Sequence, residues 1–150
     1  MTAKEYLRQA YLLDQRINLD IKEKEDLRRM AYSLSAPSLE ERVQKSSPNE
    51  ATYTRTIEKL IGMEREIDAK IDRLVDLKKQ IEDVISQVCN PNFQVILSCR
   101  YVHNMSWERI SDRLGVGNAT VRRWHDAALL LVVVPEKPIV IRKVSRFEQR

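Results

Sequence analysis

The sequence predicts an all-α protein: an N-terminal long helical hairpin or coiled coil followed by a small domain of short helices. Three observations lead there. Charged residues make up 32% of the 150 positions while Gly and Pro number only three and five, a composition of long helices and not of a sheet with frequent turns. Apolar residues recur three and four apart over long stretches. Two of the three glycines, Gly115 and Gly117, fall in a single turn between two short periodic segments. With aromatics at 6%, a doubly wound α/β enzyme is close to excluded.

Thr2 is followed three residues later by Glu5, a capping box that satisfies free N–H groups at a helix start. The helix carries Tyr6, Ala10, Leu13, Ile17, Ile21, Leu27, Met30 and Leu34 at helical spacing, and nothing interrupts it before Pro37. Residues from about 35 to 47, with Ser35, Pro37, Ser38, Ser46 and Ser47 among charges, have no period and read as a linker.

Ser47-Pro48-Asn49-Glu50 starts a second helix, Ser capping and Pro occupying the first helical position. Tyr53, Ile57, Leu60, Glu64, Ile67, Ile71, Leu74, Lys78, Ile81, Ile85 and Val88 then alternate four and three apart, nine of the eleven apolar, which is a coiled-coil seam. Glu64 and Lys78 interrupt it and call for partners. The seam closes within one chain or between chains. The widened apolar faces at the start of helix one (Leu7, Tyr11, Leu12, Leu19) and at the end of helix two (Val75, Leu77, Val84) favour an antiparallel hairpin, with dimerisation through the remaining apolar surface.

Asn90-Pro91 ends the arm, residues 1–89, and opens a domain over residues 90–131. Phe93, Ile96, Leu97, Tyr101 and Val102 form one helical face ending near His103-Asn104. Ser106 caps a short helix through Leu114, Gly115-Val116-Gly117 breaks it, and Asn118 is expected to cap a last helix from Ala119 to about Leu131. With Gly115 as the turn glycine, Ile110, Leu114, Val116, Val121 and Trp124 occupy the inward positions of a helix-turn-helix, with the small Ser111 where the helices cross.

The charge distribution points to a partner. Residues 1 to 90 hold 16 Lys+Arg against 17 Asp+Glu, whereas residues 91 to 150 hold 10 against 5. Eight of those ten are Arg, whose planar fork suits phosphates and base edges. The predicted partner is double-stranded DNA. The outward side of the last helix, Asn118, Ala119, Arg122, Arg123 and Asp126, would face the major groove, where Arg pairs with guanine O6 and N7, Asn reads adenine and Ala approaches a thymine methyl. Ser106, Trp107, Arg109 and Thr120 lie near helix starts, suited to phosphates. Against this stands a solvated surface for the arginine pair, and for Asp126 a local ion pair with Arg122 or Arg123.

The block Phe93 to Leu130, especially Arg100-Tyr101, Ser106-Trp107-Glu108-Arg109-Ile110, Leu114-Gly115 and Thr120-Val121-Arg122-Arg123-Trp124-His125-Asp126-Ala127, resembles the region-4 helix-turn-helix of sigma factors, in the version found in small phage regulators of the ArpU and RinA kind. The preceding arm, through Thr2-Ala3-Lys4-Glu5-Tyr6-Leu7, Ala36-Pro37 and Ile71-Asp72-Arg73-Leu74-Val75-Asp76-Leu77-Lys78, resembles a related phage-encoded family of unknown function. The resemblance implies sequence-specific DNA binding and control of phage or prophage transcription. Two alternatives share its fold: a sigma-like adaptor that binds RNA polymerase, and a phage DNA-packaging recognition subunit, a class that more often places its DNA-binding part first.

Residues 132–150 form a basic, apolar tail. Its β-branched run resists helix and covers a core edge, pairs with a partner chain or stays disordered, with Arg142, Lys143, Arg146 and Arg150 available to DNA backbone. No phosphate loop, nucleophile elbow or paired-carboxylate pocket is present, so neither catalysis nor a cofactor is expected. Cys99 and His103 lie four apart on one helix, and with Cys89 and His125 they could outline a zinc site, but there is no close Cys pair, so no metal is expected either. The two cysteines fit a reducing compartment. The charged N-terminus and the lack of a long apolar run predict a cytoplasmic protein without a membrane span.

Overall fold

The computed structural model describes residues 1–35 and 48–141. Among these the protein is helical, with five α-helices and no strand: α1 Ala3–Ser35, α2 Pro48–Ser86, α3 Pro91–Leu97, α4 Trp107–Leu114 and α5 Asn118–Leu131. A π-helical turn, Ser98–Val102, continues α3. No helix among the described residues is long and apolar enough to cross a membrane. The linker and residues Arg142, Lys143, Arg146 and Arg150 of the tail lie outside the described residues.

The expected capping box starts α1: Thr2 N–H donates to Glu5 Oε2 at 2.8 Å and Glu5 N–H to Thr2 Oγ1 at 3.2 Å. At the other end of the long pair, α2 stops at Ser86, short of Pro91. The side chain of Gln94 takes over there, donating to Val88 O at 2.6 Å and Ser86 O at 3.4 Å, which satisfies carbonyls a helix end leaves free. Asn90 then caps α3, its side chain accepting from Asn92 N–H at 3.0 Å, with Pro91 in the first turn.

The chain forms two compact units, Met1–Asp14 with Leu74–Arg150, and Gln15–Arg73. In the second, α1 and α2 run antiparallel. Lys70 pairs with Asp20, and further along α1 Lys24 pairs with Glu64 at 3.5 Å, so Glu64 has a partner on the facing helix. Ile17, Ala31 and Ile67 are buried here, but Ile71 and Tyr53, which the spacing places on the seam, are each 39% exposed.

In the first unit, Tyr6, Leu7, Ala10 and Leu13 of α1 are buried, as are Leu74, Leu77, Ile81, Val84, Ile85 and Val88 of the α2 side. Each such Leu, Ile or Val contributes on the order of 2 kcal/mol by leaving water. Two glutamines hold the tail segment from Lys137 to Ile141. Gln80 Oε1 accepts from Ile139 N–H at 2.9 Å and from the Tyr6 hydroxyl at 2.8 Å, while its Nε2 donates to Lys137 O at 3.1 Å. Gln9, 8% exposed, donates to Ile139 O at 3.0 Å and accepts from Ile141 N–H at 2.8 Å. These side chains stand in for a neighbouring strand, so an extended segment lies over helices without a sheet. Through Ile141, the tail covers a core edge.

Candidate nucleic-acid interface

The residues between Ser106 and Leu131 fold for local reasons. Ser106, extended at ψ 157°, caps α4 by accepting the Arg109 N–H at 3.3 Å. Gly115 ends α4 in the left-handed region, φ 65° and ψ 30°, and both its own N–H and that of Val116 turn back to Ser111 O. Only a residue without a Cβ adopts that conformation without cost. The Ser111 hydroxyl donates to Val116 O and fastens the same turn. Asn118 does not cap α5, contrary to expectation. Gly117, extended at φ −68° and ψ 156°, holds the cap position without a side-chain bond, and Asn118 begins the helix. The two-residue turn after Gly115 is one residue shorter than the sequence reading allowed, which leaves the Asn118 amide unused by the cap.

The apolar positions converge. Ile96, Cys99, Ile110 and Val121 are buried together, with Met105, Trp107, Leu114, Val116 and Trp124 packed against them. All five inward positions read from the sequence therefore meet on one core. The other side of α5 is open to solvent: Asn118, Ala119, Arg122, Arg123 and Asp126 are exposed, Thr120 half-buried, and on α4 Ser106 and Arg109 are exposed. Arg123 donates to the Thr120 hydroxyl at 3.4 Å, so the two act from one turn of helix.

Two expected roles change. Asp126 does not pair with an arginine; its carboxylate meets His125 Nδ1 at 3.1 Å. Trp107 is half-buried in the core cluster and is the centre of a ring assembly. Its edge meets the His125 ring, centroids 4.7 Å apart, the Arg100 guanidinium stacks on it at 4.3 Å, and that of Arg122 lies 5.9 Å away. Arg100 also donates to Met105 O at 3.0 Å. Cations over an indole face are attracted by its quadrupole, so Trp107 orients arginines in addition to filling space.

His125 is the buried polar residue of α5, 3% exposed. Its Nε2 lies 2.7 Å from the Tyr101 hydroxyl. As the neutral ring it accepts from Tyr101 and donates from Nδ1 to Asp126, which satisfies both nitrogens. Burial lowers the His125 pKa, the Asp126 carboxylate pulling it back in part, and burial raises that of Tyr101. The pair joins the π-helical turn to α5. Arg100 and Tyr101 belong to this arrangement, yet their place in it follows from the π-helical turn, which has no signature in the sequence.

The cysteine and histidine residues weighed as metal ligands are dispersed, His103 lying exposed. Cys99 is in the core, Cys89 is exposed and His125 is held by Tyr101 and Asp126. No group of three or more potential ligands gathers among the described residues.

The profile of a family described as "Protein of unknown function (DUF722)" matches residues 8–129. No curated protein matches the chain. No solved structure matches it either.

Proposed function

The chain belongs to the DUF722 family, and we propose that it is a sequence-specific DNA-binding regulator whose α4–turn–α5 unit is a helix-turn-helix. One observation carries this reading. A left-handed Gly115 turn gathers Ile110, Leu114, Val116, Val121 and Trp124 on one core and leaves Asn118, Ala119, Arg122, Arg123 and Asp126 in solvent on a single face of α5. A helix presented to a groove needs a rigid brace behind it and an open polar face in front of it.

In this reading α5 lies in the major groove. Arg122 and Arg123 bond guanine O6 and N7, Asn118 reads adenine, and Ala119 admits a thymine methyl. Arg109 and the Ser106 side of α4 face phosphates, and Thr120 steadies Arg123. The long helices α1 and α2 hold a second copy through the apolar side chains they leave exposed, so that two reading helices address one site and gain by effective concentration. The resemblance to ArpU- and RinA-type regulators makes phage or prophage genes the expected targets.

A second reading, an adaptor that binds RNA polymerase, draws on Leu130, Leu131 and Val133, which are 87%, 53% and 71% exposed at the end of α5. Large apolar side chains in water next to a reading helix fit a protein contact.

The test is selection of duplexes by the full chain from a random pool, followed by titration of Arg122→Ala and Arg123→Ala. Each substitution is expected to cost about 1 to 3 kcal/mol on the selected duplex and to relax preference at one position. Unchanged affinity and preference in both, with helicity intact, would remove α5 from base reading. Enrichment of no duplex without polymerase would favour the adaptor. The full chain is required, because a fragment beginning at residue 90 would strip Gln9 and Gln80 from the tail they hold.

A further inference from the structure

The helix pair from Trp107 to Leu131 carries four arginines (Arg109, Arg113, Arg122, Arg123) against Glu108, Asp112 and Asp126, a net charge of +1. That is little for a polyanion whose phosphates supply most of the affinity in nucleic-acid complexes. Further cations must come from elsewhere in the same compact unit, and the first turns of α1 hold two. Tyr6, Leu7, Gln9, Ala10 and Leu13 turn inward and are buried, which leaves Lys4 and Arg8, one helical turn apart, exposed on the opposite side. Asn104, at the end of the π-helical turn, donates to Asp14 at 3.4 Å, so this part of α1 lies beside the segment that carries Arg100 and Tyr101. The fields of Arg8 and Lys4 reach the paired rings, Arg8 at Tyr101 and Lys4 at His125. The acidic residues of the same turns are engaged: Glu5 in the capping box and Asp14 with Asn104. Neither Lys4 nor Arg8 has an ion-pair partner among the described residues.

Resting on the reading of α5 as the base-reading helix, we propose that Lys4 and Arg8 of α1, with Arg100 stacked on Trp107, form a cationic ledge that grips the phosphate backbone of the duplex flanking that helix. The ledge reads no bases. It supplies affinity and register, and it makes the start of the arm part of the DNA-binding surface although residues 1 to 90 carry no excess of basic residues. Arg100 is preorganised for the role by its indole stack and its bond to Met105 O, which leave its remaining N–H groups for an oxygen.

The experiment titrates labelled duplexes, one selected and one scrambled, with the full chain and variants over a series of salt concentrations. Lys4→Gln/Arg8→Gln should lose roughly ten-fold on both duplexes alike, keep the preference between them, and lower the slope of log affinity against log salt by about 1.8, two phosphate contacts at about 0.9 each. The charge-preserving Lys4→Arg/Arg8→Lys pair should bind as the parent does. Lys22→Gln/Arg65→Gln, exposed cations of the other unit, should change neither affinity nor slope. Undiminished affinity and an unchanged slope in Lys4→Gln/Arg8→Gln, while Arg122→Ala still relaxes preference at one position, would overturn the ledge and leave base reading standing. Loss on the selected duplex alone would overturn it as well, since a backbone grip does not discriminate. Failure of the parent to bind either duplex would overturn both.

Discussion

The residues around α3, α4 and α5 and the residues Gln15–Arg73 are both helical, but they hold themselves together differently. Around Ile96, Cys99, Ile110 and Val121, helices approach from several directions and the central side chains are 5% exposed or less. Among the described residues between Gln15 and Arg73 two helices are present, and two helices can cover one stripe. Ile17, Ala31 and Ile67 lie in that stripe, while Leu19, Met30, Ile61 and Ile71 stay in water, at 65%, 62%, 47% and 39% exposure. Ion pairs do part of the work of register there. A core approached from several directions hides its apolar side chains, whereas a stripe between two helices leaves many of them in solvent.

The sharpest way to break this contrast is to hollow both regions. Ile110→Ala should lower unfolding free energy by about 3 kcal/mol, as full burial of a branched side chain implies, and Ile67→Ala at the hairpin stripe should cost clearly less. Urea denaturation of both variants decides it, and equal costs would erase the distinction. Next in size is the turn. A Cβ at Gly115 would meet nothing within 4 Å, so Gly115→Ala isolates the backbone term of about 1 to 2 kcal/mol for a left-handed residue. Gly117→Ala, in an extended conformation with equally open surroundings, should show no such strain in the same melts.

A smaller effect follows from His125. Its folded-state pKa lies below the ordinary 6.5 because burial disfavours the charged ring, with Lys4 and Arg100 adding to that and Asp126 opposing it. The neutral ring therefore stabilises the fold fully above pH 6.5, and that contribution is lost as pH falls from there through the lowered folded value. Thermal melts from pH 7.5 to 5 should show a declining midpoint, and His125→Gln should flatten the decline. A profile equally steep in both would acquit the histidine. Smallest of all, Lys70→Met should cost less than about 1 kcal/mol, since both partners retain solvent and such pairs contribute little. A larger loss would mean that the ion pairs, not the stripe, hold the hairpin.

What the sequence made legible is what depends on neighbours in the chain. The Thr2/Glu5 capping box, the Asn90-Pro91 start, the Ser106 cap and the Gly115 turn are contacts across two to five residues, and the inward set Ile110, Leu114, Val116, Val121 and Trp124 follows from helical period. What escaped needs distant partners or exact phase. Gln94 fixes the end of α2, and the π-helical turn shifts Tyr101 onto His125 from 24 residues away. Asp126 chose that histidine over the arginines beside it, and Gly117 displaced Asn118 from the cap. The exposed site residues of α5 were readable because an outward face is the complement of an inward one. The proposed part for Lys4 and Arg8 was not, because charge counted along the chain ignores that α1 meets the segment after the π-helical turn through Asp14 and Asn104.

Gln9 and Gln80 give the order in which the chain can be completed during synthesis. The bonds of Gln9 to Ile139 and Ile141 span 130 and 132 positions, whereas Lys24 and Glu64 pair across a much shorter stretch. Contacts that close long loops form late. As the chain leaves the ribosome, the hairpin of Gln15–Arg73 can zip while Gln9 still waits in water for a segment not yet made, and the unit that carries α5 is finished last. Pulse-labelled hydrogen exchange during refolding should accordingly find the Ile139 and Ile141 amides among the last to be protected, and protection of both before α2 would reverse that order.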